Sequence, residues 1–193
     1  MTLILLARHG ETDWNRSERW QGHADPPLNA TGLSQAEALA DLLAEERLHA
    51  IYSSDLQRAV STAEAVARRH ALPLVQLERL REIDVGEWSG LTTTEIKEQH
   101  AEGFERHNAG GDGWLTGEPH AEMQKRIVAA IDALAQAHED EMILVVIHGG
   151  TIRALLAHAM AIPFDEYRRT YRGPRNGTVA RVSVESGRWV RID

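Results

Sequence analysis

The fold class is decided by the stretch Leu3-Ile4-Leu5-Leu6-Ala7-Arg8-His9-Gly10. Residues 3–7 form an apolar run without alternation of polar and apolar side chains, which is typical of a strand covered on both faces in a parallel sheet. Residues 142–147 form a second run of this kind and also end at a histidine, His148. We therefore predict that these two runs are the central strands of one sheet.

Shorter segments extend this sheet. Residues 50–53 and 74–77 are predicted strands, whereas residues 179–184 and 189–192 flank a Ser-Gly turn as a hairpin and are predicted edge strands. Three helical patterns carry apolar faces at Leu33, Ala36, Ala40 and Leu43, at Leu56, Ala59, Ala63 and Val66, and at Met123, Ile127, Ala130 and Leu134. Strands that alternate with helices predict an α/β domain with a mostly parallel sheet.

Two helix starts carry capping signals. Thr31 is a predicted N-cap of the first of these helices, and Ser54 with Gln57 has the spacing of a capping box at the second. Residues 89–119 do not fit the alternation, because they are rich in Gly and Thr and hold only a short helical pattern near residues 95–100. We predict that residues 89–119 are an insertion, since long loops in compact domains are usually functional lids or disordered segments.

Length and composition limit the class of protein. A chain of 193 residues fits one domain spanning 1–193, and the absence of Cys excludes disulfides, thiolate metal sites and cysteine nucleophiles. The net charge of -8 argues against nucleic acid or anionic membranes as partners. The first apolar run is far shorter than the roughly 20 residues that a membrane span needs. We predict a cytoplasmic protein, and no oligomeric state follows from the apolar stripes.

Basic side chains gather where the predicted strands end. Arg8 and His9 follow the first strand, His148 and Gly149 follow the 142–147 strand, and Arg58 lies in the first turn after residues 50–53. Because ligands of open α/β sheets bind at the carboxyl ends of the strands, these groups are expected to meet. Two guanidinium groups and two imidazoles beside a helix N-terminus favour a phosphate pocket. The same cations repel a metal ion, so we predict no metal there.

At these residues the chain resembles a known family. The pattern Leu-x-Arg-His-Gly-Glu-Thr-x-Trp-Asn, from Leu6 to Asn15, is the signature of the histidine phosphatase superfamily, phosphoglycerate mutase-like branch. Further resemblance lies in residues 21–28, 32–36, 52–59, 80–82 and 146–150. The resemblance implies a three-layer sandwich with helices on both faces of the sheet. Among its members the chain looks most like small phosphatases, such as α-ribazole phosphatases and broad-specificity acid phosphatases.

The resemblance also implies roles for individual residues. His9 would be the nucleophile that takes up the phosphoryl group, Arg8, Arg58 and His148 would hold its oxygens, and Glu82 would be the proton donor. Asn15 and the Gly149 backbone would add phosphate contacts, with Gln21 and Gly22 on the substrate side. No metal or organic cofactor is implied, and the substrate would be a small phosphorylated metabolite.

Three functions remain open from the sequence. A phosphomonoesterase is favoured over a phosphoglycerate mutase, because mutases of this family follow the catalytic Glu with Arg-His-Tyr-Gly, whereas Ile83, Asp84, Val85 and Gly86 follow here. The stretch between residues 91 and 119 also offers only Lys97 and Arg106 as cations for a substrate carboxylate. A catalytically silent phosphate-binding module is the third alternative.

Two groups of residues outside the motifs are expected to have structural rather than functional roles. Trp20, Trp88, Phe104 and Trp114 are expected to pack in the core or in loops, with the wall of a substrate pocket as the alternative. The basic cluster of Arg168, Arg169, Arg172 and Arg175 is expected to be a solvated surface.

Overall fold

A six-stranded sheet forms the centre of the computed structural model, which describes residues 1–192. Its strands are β1 (Thr2–Arg8), β2 (Ala50–Ser53), β3 (Leu74–Gln76), β4 (Met142–Ile147), β5 (Val179–Glu185) and β6 (Arg188–Arg191). The strand order is β3-β2-β4-β1-β5-β6, with the first four parallel and the last two antiparallel to their neighbours. The mostly parallel sheet predicted from the sequence is confirmed.

The two apolar runs are central, as predicted, and their register positions the site. Strand β1 pairs with β4 so that Arg8 lies opposite Ile147. The residue that follows each strand, His9 or His148, therefore leaves the sheet at the same edge. The predicted hairpin is confirmed, but β5 is not an edge strand because it lies between β1 and β6. Val182 and Val184 of β5 are accordingly buried.

Helices cover both faces of the sheet and make the three-layer sandwich. They are α1 (Asp13–Arg16), α2 (Ala30–Leu42), α3 (Gln57–His70), α4 (Thr93–Gln99), α5 (Ala101–Asn108), α6 (His120–Ala137), α7 (Gly149–Ala159) and α8 (Phe164–Thr170). Successive strand residues face opposite sides. In β1, Leu5 packs with α2 and α3, whereas Ile4 and Leu6 pack with α6 and α7.

The predicted apolar faces of α3 and α6 are buried throughout, but the face of α2 is rotated from the prediction. Ala36, Ala40 and Leu43 are buried, whereas Leu33 is 55% exposed. The cause lies at Gly32, which packs so closely on the turn after His9 that a Cβ there would lie 2.1 Å from the carbonyl oxygen of Glu11. Because Gly32 faces inward, its neighbour Leu33 faces solvent.

Both predicted helix caps are wrong by a few residues. Asn29, not Thr31, caps α2, since its side chain accepts a hydrogen bond from the Gly32 amide at 2.9 Å. Helix α3 begins only at Gln57, so Ser54 lies too far upstream for a capping box and instead accepts a bond from the Leu56 amide at 3.3 Å. Several neighbouring residues in these two turns are of types that can serve as an N-cap. The spacing of residue types alone therefore did not locate the first residue of α2 or α3.

Residues 89–119 contain more helix than the sequence indicates. Helices α4 and α5 replace the single short helix expected near residues 95–100. Thr92 and Glu95 form a reciprocal capping box at the start of α4, with bonds of 2.7 and 3.2 Å. Across residues 1–192, none of the helices has the length and apolar character needed to cross a bilayer.

Candidate active site

The strand ends bring His9 and His148 together. Their ring centroids lie 5.2 Å apart, and the residues are only 3% and 0% exposed. Two imidazoles this deeply buried next to each other are costly unless they serve a site. Their proximity agrees with the prediction that the residues following the two central strands meet at one edge of the sheet.

The hydrogen bond of His9 fixes which ring nitrogen carries the proton. Nδ1 of His9 lies 2.7 Å from the carbonyl oxygen of Gly10. A carbonyl oxygen only accepts, so Nδ1 donates and Nε2 of the neutral ring keeps its lone pair. His9 therefore presents an unprotonated nitrogen, the atom that a nucleophilic imidazole needs.

The surroundings keep both rings neutral. Burial, followed by the charges of Arg58 and Arg8, holds the pKa of His9 well below its usual range. Burial, followed by Arg58 and His9, lowers the pKa of His148 in the same way. Neither ring nitrogen of His148 has a hydrogen-bond partner in the described part of the chain, although both are buried. A bound phosphate oxygen would satisfy such a ring.

Two arginines lie beside the histidines, and their guanidinium groups are held by hydrogen bonds to backbone carbonyl oxygens. Arg58, 1% exposed, donates to the carbonyl oxygens of Ala24 at 2.6 Å and Gly22 at 2.9 Å. Arg8 donates from Nη1 to the carbonyl oxygen of Pro174 at 2.7 Å. The Nε atoms of both side chains are buried without a partner among the described residues. Each guanidinium is thus anchored and still has a donor to offer an anion.

Glu82 lies at the N-terminus of α7. Its carboxylate accepts hydrogen bonds from the amides of Gly150 at 2.9 Å, Thr151 at 3.2 Å and Ile83 at 3.0 Å. From the sequence we expected the free amides at this helix N-terminus to bind phosphate, but the Glu82 carboxylate accepts hydrogen bonds from two of them. The Gly149 backbone lies against the Arg8 guanidinium, and a Cβ there would be 3.3 Å from Cζ. Glu82 therefore lines the pocket together with Arg8, His9 and Arg58.

Asn15 lines the pocket with its amide orientation fixed. Its Oδ1 accepts from the amide and hydroxyl of Thr12, at 3.1 and 3.2 Å, and from Nδ2 of Asn176 at 3.2 Å. Three donors on the oxygen leave the amide nitrogen of Asn15 to serve another acceptor. Asn176 also donates to the carbonyl oxygen of His9 at 2.9 Å, so it braces the nucleophile turn. The sequence analysis missed Asn176, whose Asn-Gly pair has the pattern of an ordinary turn.

Gln21 and Gly22 lie on the pocket lining, where the resemblance placed them. Gly22 has a φ of 51°, a left-handed conformation that favours glycine, and its carbonyl oxygen accepts from Arg58. Oε1 of Gln21 is buried and has no partner within residues 1–192. Gly22 thus positions Arg58, while Gln21 keeps an acceptor for a substrate hydroxyl or amine.

Ring side chains form the outer wall of the pocket, a cavity of about 350 Å³. The ring wall consists of Trp20, His107, Trp114, His120 and Phe164. Trp20 and Trp114 pack in or against the core, as expected, and they also line the cavity, which was the alternative. Trp88 is fully buried behind Trp20, with centroids 5.4 Å apart, and Phe104 lies under Lys97 rather than on the cavity.

Three further arginines, Arg19, Arg153 and Arg168, line the cavity beyond the phosphate-binding groups. Arg168, expected in a solvated cluster, is instead nearly buried, paired with Asp165 at 3.0 Å and bonded to the His107 carbonyl oxygen at 2.7 Å. Arg153 follows Gly149 by four residues in α7 and faces the same cavity. The i, i+4 spacing from Gly149 was a signal that could have found Arg153. No three His, Cys, Asp or Glu side chains are grouped as metal ligands in the described residues.

Comparison with known proteins identifies the family of the chain. The profile of the histidine phosphatase superfamily, branch 1, matches residues 4–192. The chain belongs to the histidine phosphatase superfamily. The family and the fold predicted from the sequence are therefore confirmed.

Relatives of this histidine phosphatase carry both phosphatase and mutase names. Phosphoserine phosphatase 1 of Hydrogenobacter thermophilus is 33% identical over 172 residues, covering 86% of this chain and 80% of that protein. A probable phosphoglycerate mutase of Proteus mirabilis is 33% identical over 195 residues, covering 98% and 88%. The structure of a mycobacterial glucosyl-3-phosphoglycerate phosphatase superposes with a TM-score of 0.88 at 29% identity, covering 99% and 97%. The phosphatase-named relatives support a hydrolase.

The pocket histidines of this phosphatase make its stability depend on pH. Burial lowers the pKa of His107 to about 4 and also lowers that of His120 and of the His9–His148 pair. Below the unfolded value of about 6.5 the unfolded chain therefore binds more protons than the folded one, so stability falls as the pH falls. We expect the melting temperature to decrease from about pH 7 to about pH 5. A flat or rising profile would contradict this. His107→Gln should make the decrease smaller without abolishing it, because His9, His120 and His148 keep their lowered pKa values.

Proposed function

We propose that the protein is a phosphomonoester hydrolase that forms a phosphohistidine on His9, with Glu82 as the proton donor. The observation that carries this is the His9 ring, which is neutral, protonated on Nδ1 and buried between Arg8 and Arg58. An imidazole in that state can attack phosphorus only through Nε2. The two guanidinium groups and His148 would neutralise the phosphoryl oxygens.

In the first step Nε2 of His9 attacks phosphorus as the bond from phosphorus to the ester oxygen breaks. The leaving oxygen takes a proton from Glu82, since an alkoxide leaves poorly without one. The products of this step are a free alcohol, a phosphohistidine and an ionised Glu82.

In the second step a water molecule takes the place of the alcohol. The Glu82 carboxylate removes a proton from the water, whose oxygen attacks phosphorus as the bond to Nε2 breaks. Inorganic phosphate leaves, His9 is neutral again and Glu82 is protonated. The fixed cations stabilise the charge on the phosphoryl oxygens in both steps.

We place this activity in one domain spanning residues 1–193, with residues 89–119 as an insertion that supplies part of the ring wall. The substrate is a small phosphorylated metabolite of the cytoplasm rather than nucleic acid or a membrane component. Asn15, Gln21, Gly22 and the Gly149 backbone serve as binding groups. The ring wall then surrounds the alcohol part of the ester.

The hydrolase and the mutase are separated by their products. Purified protein is incubated with a panel of phosphomonoesters that includes 3-phosphoglycerate with catalytic 2,3-bisphosphoglycerate, while free phosphate and isomerised product are followed separately. We expect phosphate release from several esters. Efficient isomerisation without net phosphate release would instead establish a mutase, the activity that several relatives are named for.

Metal removal should leave the activity intact. The proposed chemistry uses two guanidinium groups where other phosphatases use metal ions, and Arg8 and Arg58 repel a cation from the His9–His148 pair. We expect full phosphate release after treatment with a chelator and passage over a desalting column. Activity that is lost on chelation and restored by zinc would contradict the proposal. The measurement is the rate on 4-nitrophenyl phosphate before and after treatment.

A further inference from the structure

The segment that carries Glu82 has no regular structure of its own. Residues 81–85 form neither a helix nor a strand, although Ile83 and the preceding Leu80 are buried. The backbone carbonyl groups of this segment therefore have no helix or strand ladder to fix them, and contacts with other parts of the chain set their positions. These contacts also decide where the Glu82 side chain begins.

Arg126 of α6 donates hydrogen bonds to three backbone carbonyl oxygens at this segment. Its Nη1 lies 2.8 Å from the oxygen of Arg79 and 3.0 Å from that of Arg81, and its Nη2 lies 3.4 Å from that of Glu82. The Glu82 oxygen also accepts from Nε2 of His23 at 2.9 Å. One guanidinium thus spans the backbone from residue 79 to residue 82.

Glu118 fixes the orientation of this guanidinium. Its two carboxylate oxygens accept from Nε and Nη2 of Arg126 at 2.8 and 2.6 Å, and only 25% of the arginine and 18% of the glutamate side chain is exposed. A bidentate pair holds both groups in one orientation. The Glu118 backbone is held as well, since its amide donates to the Asp84 carbonyl oxygen at 2.8 Å and its carbonyl oxygen accepts from Nε1 of Trp114 at 2.9 Å. The pair therefore joins the Glu82 segment to the ring wall.

This pair can act on the reaction only through the segment that it holds. Neither Arg126 nor Glu118 lines the active-site cavity formed by the described residues. The Glu82 carboxylate is bound at its far end by the amides of Gly150 and Thr151. A shift of the Glu82 backbone would therefore change these bonds and the direction in which the carboxyl group points.

We propose that Arg126 is a positioning residue for proton transfer, because its guanidinium holds the Glu82 segment where the carboxyl group reaches the leaving oxygen. Proton transfer requires the two oxygens to come within hydrogen-bond distance, and a displacement of about 1 Å can cost about 10²-fold in rate. The proposal rests on the proposed role of Glu82 in the hydrolase.

Arg126→Ala should give the leaving-group dependence of a misplaced proton donor. We expect the first turnover of the alkyl ester that the wild-type protein hydrolyses fastest to slow by about 10- to 100-fold, with KM little changed. The first turnover of 4-nitrophenyl phosphate should slow by less than about threefold, because its leaving group needs little proton assistance. Rapid-quench measurement of the released alcohol gives both rates. Equal slowing of the two esters, or no slowing of either, would overturn the proposal.

The effect should disappear when the proton donor is absent. In Glu82→Gln, which lacks that donor, adding Arg126→Ala should change the ratio of alkyl to aryl first-turnover rates by less than about twofold. A role that is independent of Glu82 would instead give effects that multiply in the double variant. Multiplied effects on this ratio would overturn the proposal.

Asp132→Ala is the matched control on the same helix. Asp132 accepts a hydrogen bond from Nε1 of Trp189 at 2.8 Å and lines a separate cavity beside Met1, so the variant also removes a contact of α6 but leaves the Glu82 segment alone. It should keep the wild-type ratio of alkyl to aryl rates. A shift as large as that of Arg126→Ala would overturn the assignment.

Two milder variants carry the test if Arg126→Ala does not fold. Arg126→Lys and Glu118→Gln each keep part of the contacts and should shift the ratio in the same direction by a smaller factor. An unchanged ratio in both would overturn the proposal.

Glu82→Gln alone separates this inference from the proposed function. If it slows alkyl esters selectively and Arg126→Ala does not, the positioning role fails and the hydrolase mechanism stands. If the wild-type protein hydrolyses no ester, or Glu82→Gln does not distinguish the esters, the proposed function fails at its proton donor and the positioning role fails with it.

Discussion

Replacing His9 with Ala should lower phosphate release from every ester by about 10⁴-fold or more, because the variant has no atom to accept the phosphoryl group. The loss should appear in kcat for activated and unactivated esters alike. The measurement is phosphate release at saturating substrate, with circular dichroism to verify folding. Because His9 donates only to the neighbouring Gly10 carbonyl, the Ala variant should fold.

His158→Ala is the matched control for this variant. His158 is exposed on α7 and packs on Trp189, away from the cavity lining. It should retain the wild-type rate. Full activity in His9→Ala would contradict the mechanism. Phosphate binding without any turnover in the wild-type protein would instead support a silent binding module.

Replacing Glu82 with Gln should separate esters by their leaving groups. Alkyl esters need a proton on the leaving oxygen, so their first turnover should slow by about 10²- to 10⁴-fold. 4-Nitrophenyl phosphate needs little proton assistance, so release of nitrophenol in the first turnover should slow much less. Later turnovers should slow for both esters, because Glu82 also activates the water. Rapid-quench measurements distinguish these phases.

Glu78→Gln serves as the control, since Glu78 is an exposed carboxylate four residues away that pairs with Arg81. Equal first-turnover losses in Glu82→Gln for alkyl and aryl esters would rule out a general-acid role. They would then indicate that Glu82 acts only by ordering the N-terminus of α7, where it accepts the Gly150 and Thr151 amides.

The sequence was most informative where a pattern of residues is compatible with only one type of secondary structure and one position in the sheet. Uninterrupted apolar runs required two central strands, and the register of β1 with β4 then placed His9 beside His148. The position of Arg58 followed from its place in the first turn of α3. These residues could be predicted because strand ends in a parallel sheet share an edge.

Other features depended on tertiary packing that the local sequence does not encode. Leu33 is exposed because the close approach of Gly32 to Glu11 rotates α2, and β5 is internal because β6 adds outside it. Asn176 and Arg168 reach the site from segments more than 150 residues beyond His9. Long-range contacts of this kind have no periodic signature in one sequence. From the sequence, a place in the pocket wall was only an alternative role for Trp20 and Trp114. The structure was needed to assign that role.

Trapping the covalent intermediate tests the central claim most directly. Wild-type protein is mixed with 4-nitrophenyl phosphate, quenched in base, where phosphohistidine survives, and digested for mass spectrometry. We predict that one phosphoryl group is found on the peptide that contains His9 and is absent from His9→Ala. Steady phosphate release with no phosphoryl group on His9, or with the group on another residue, would contradict the account.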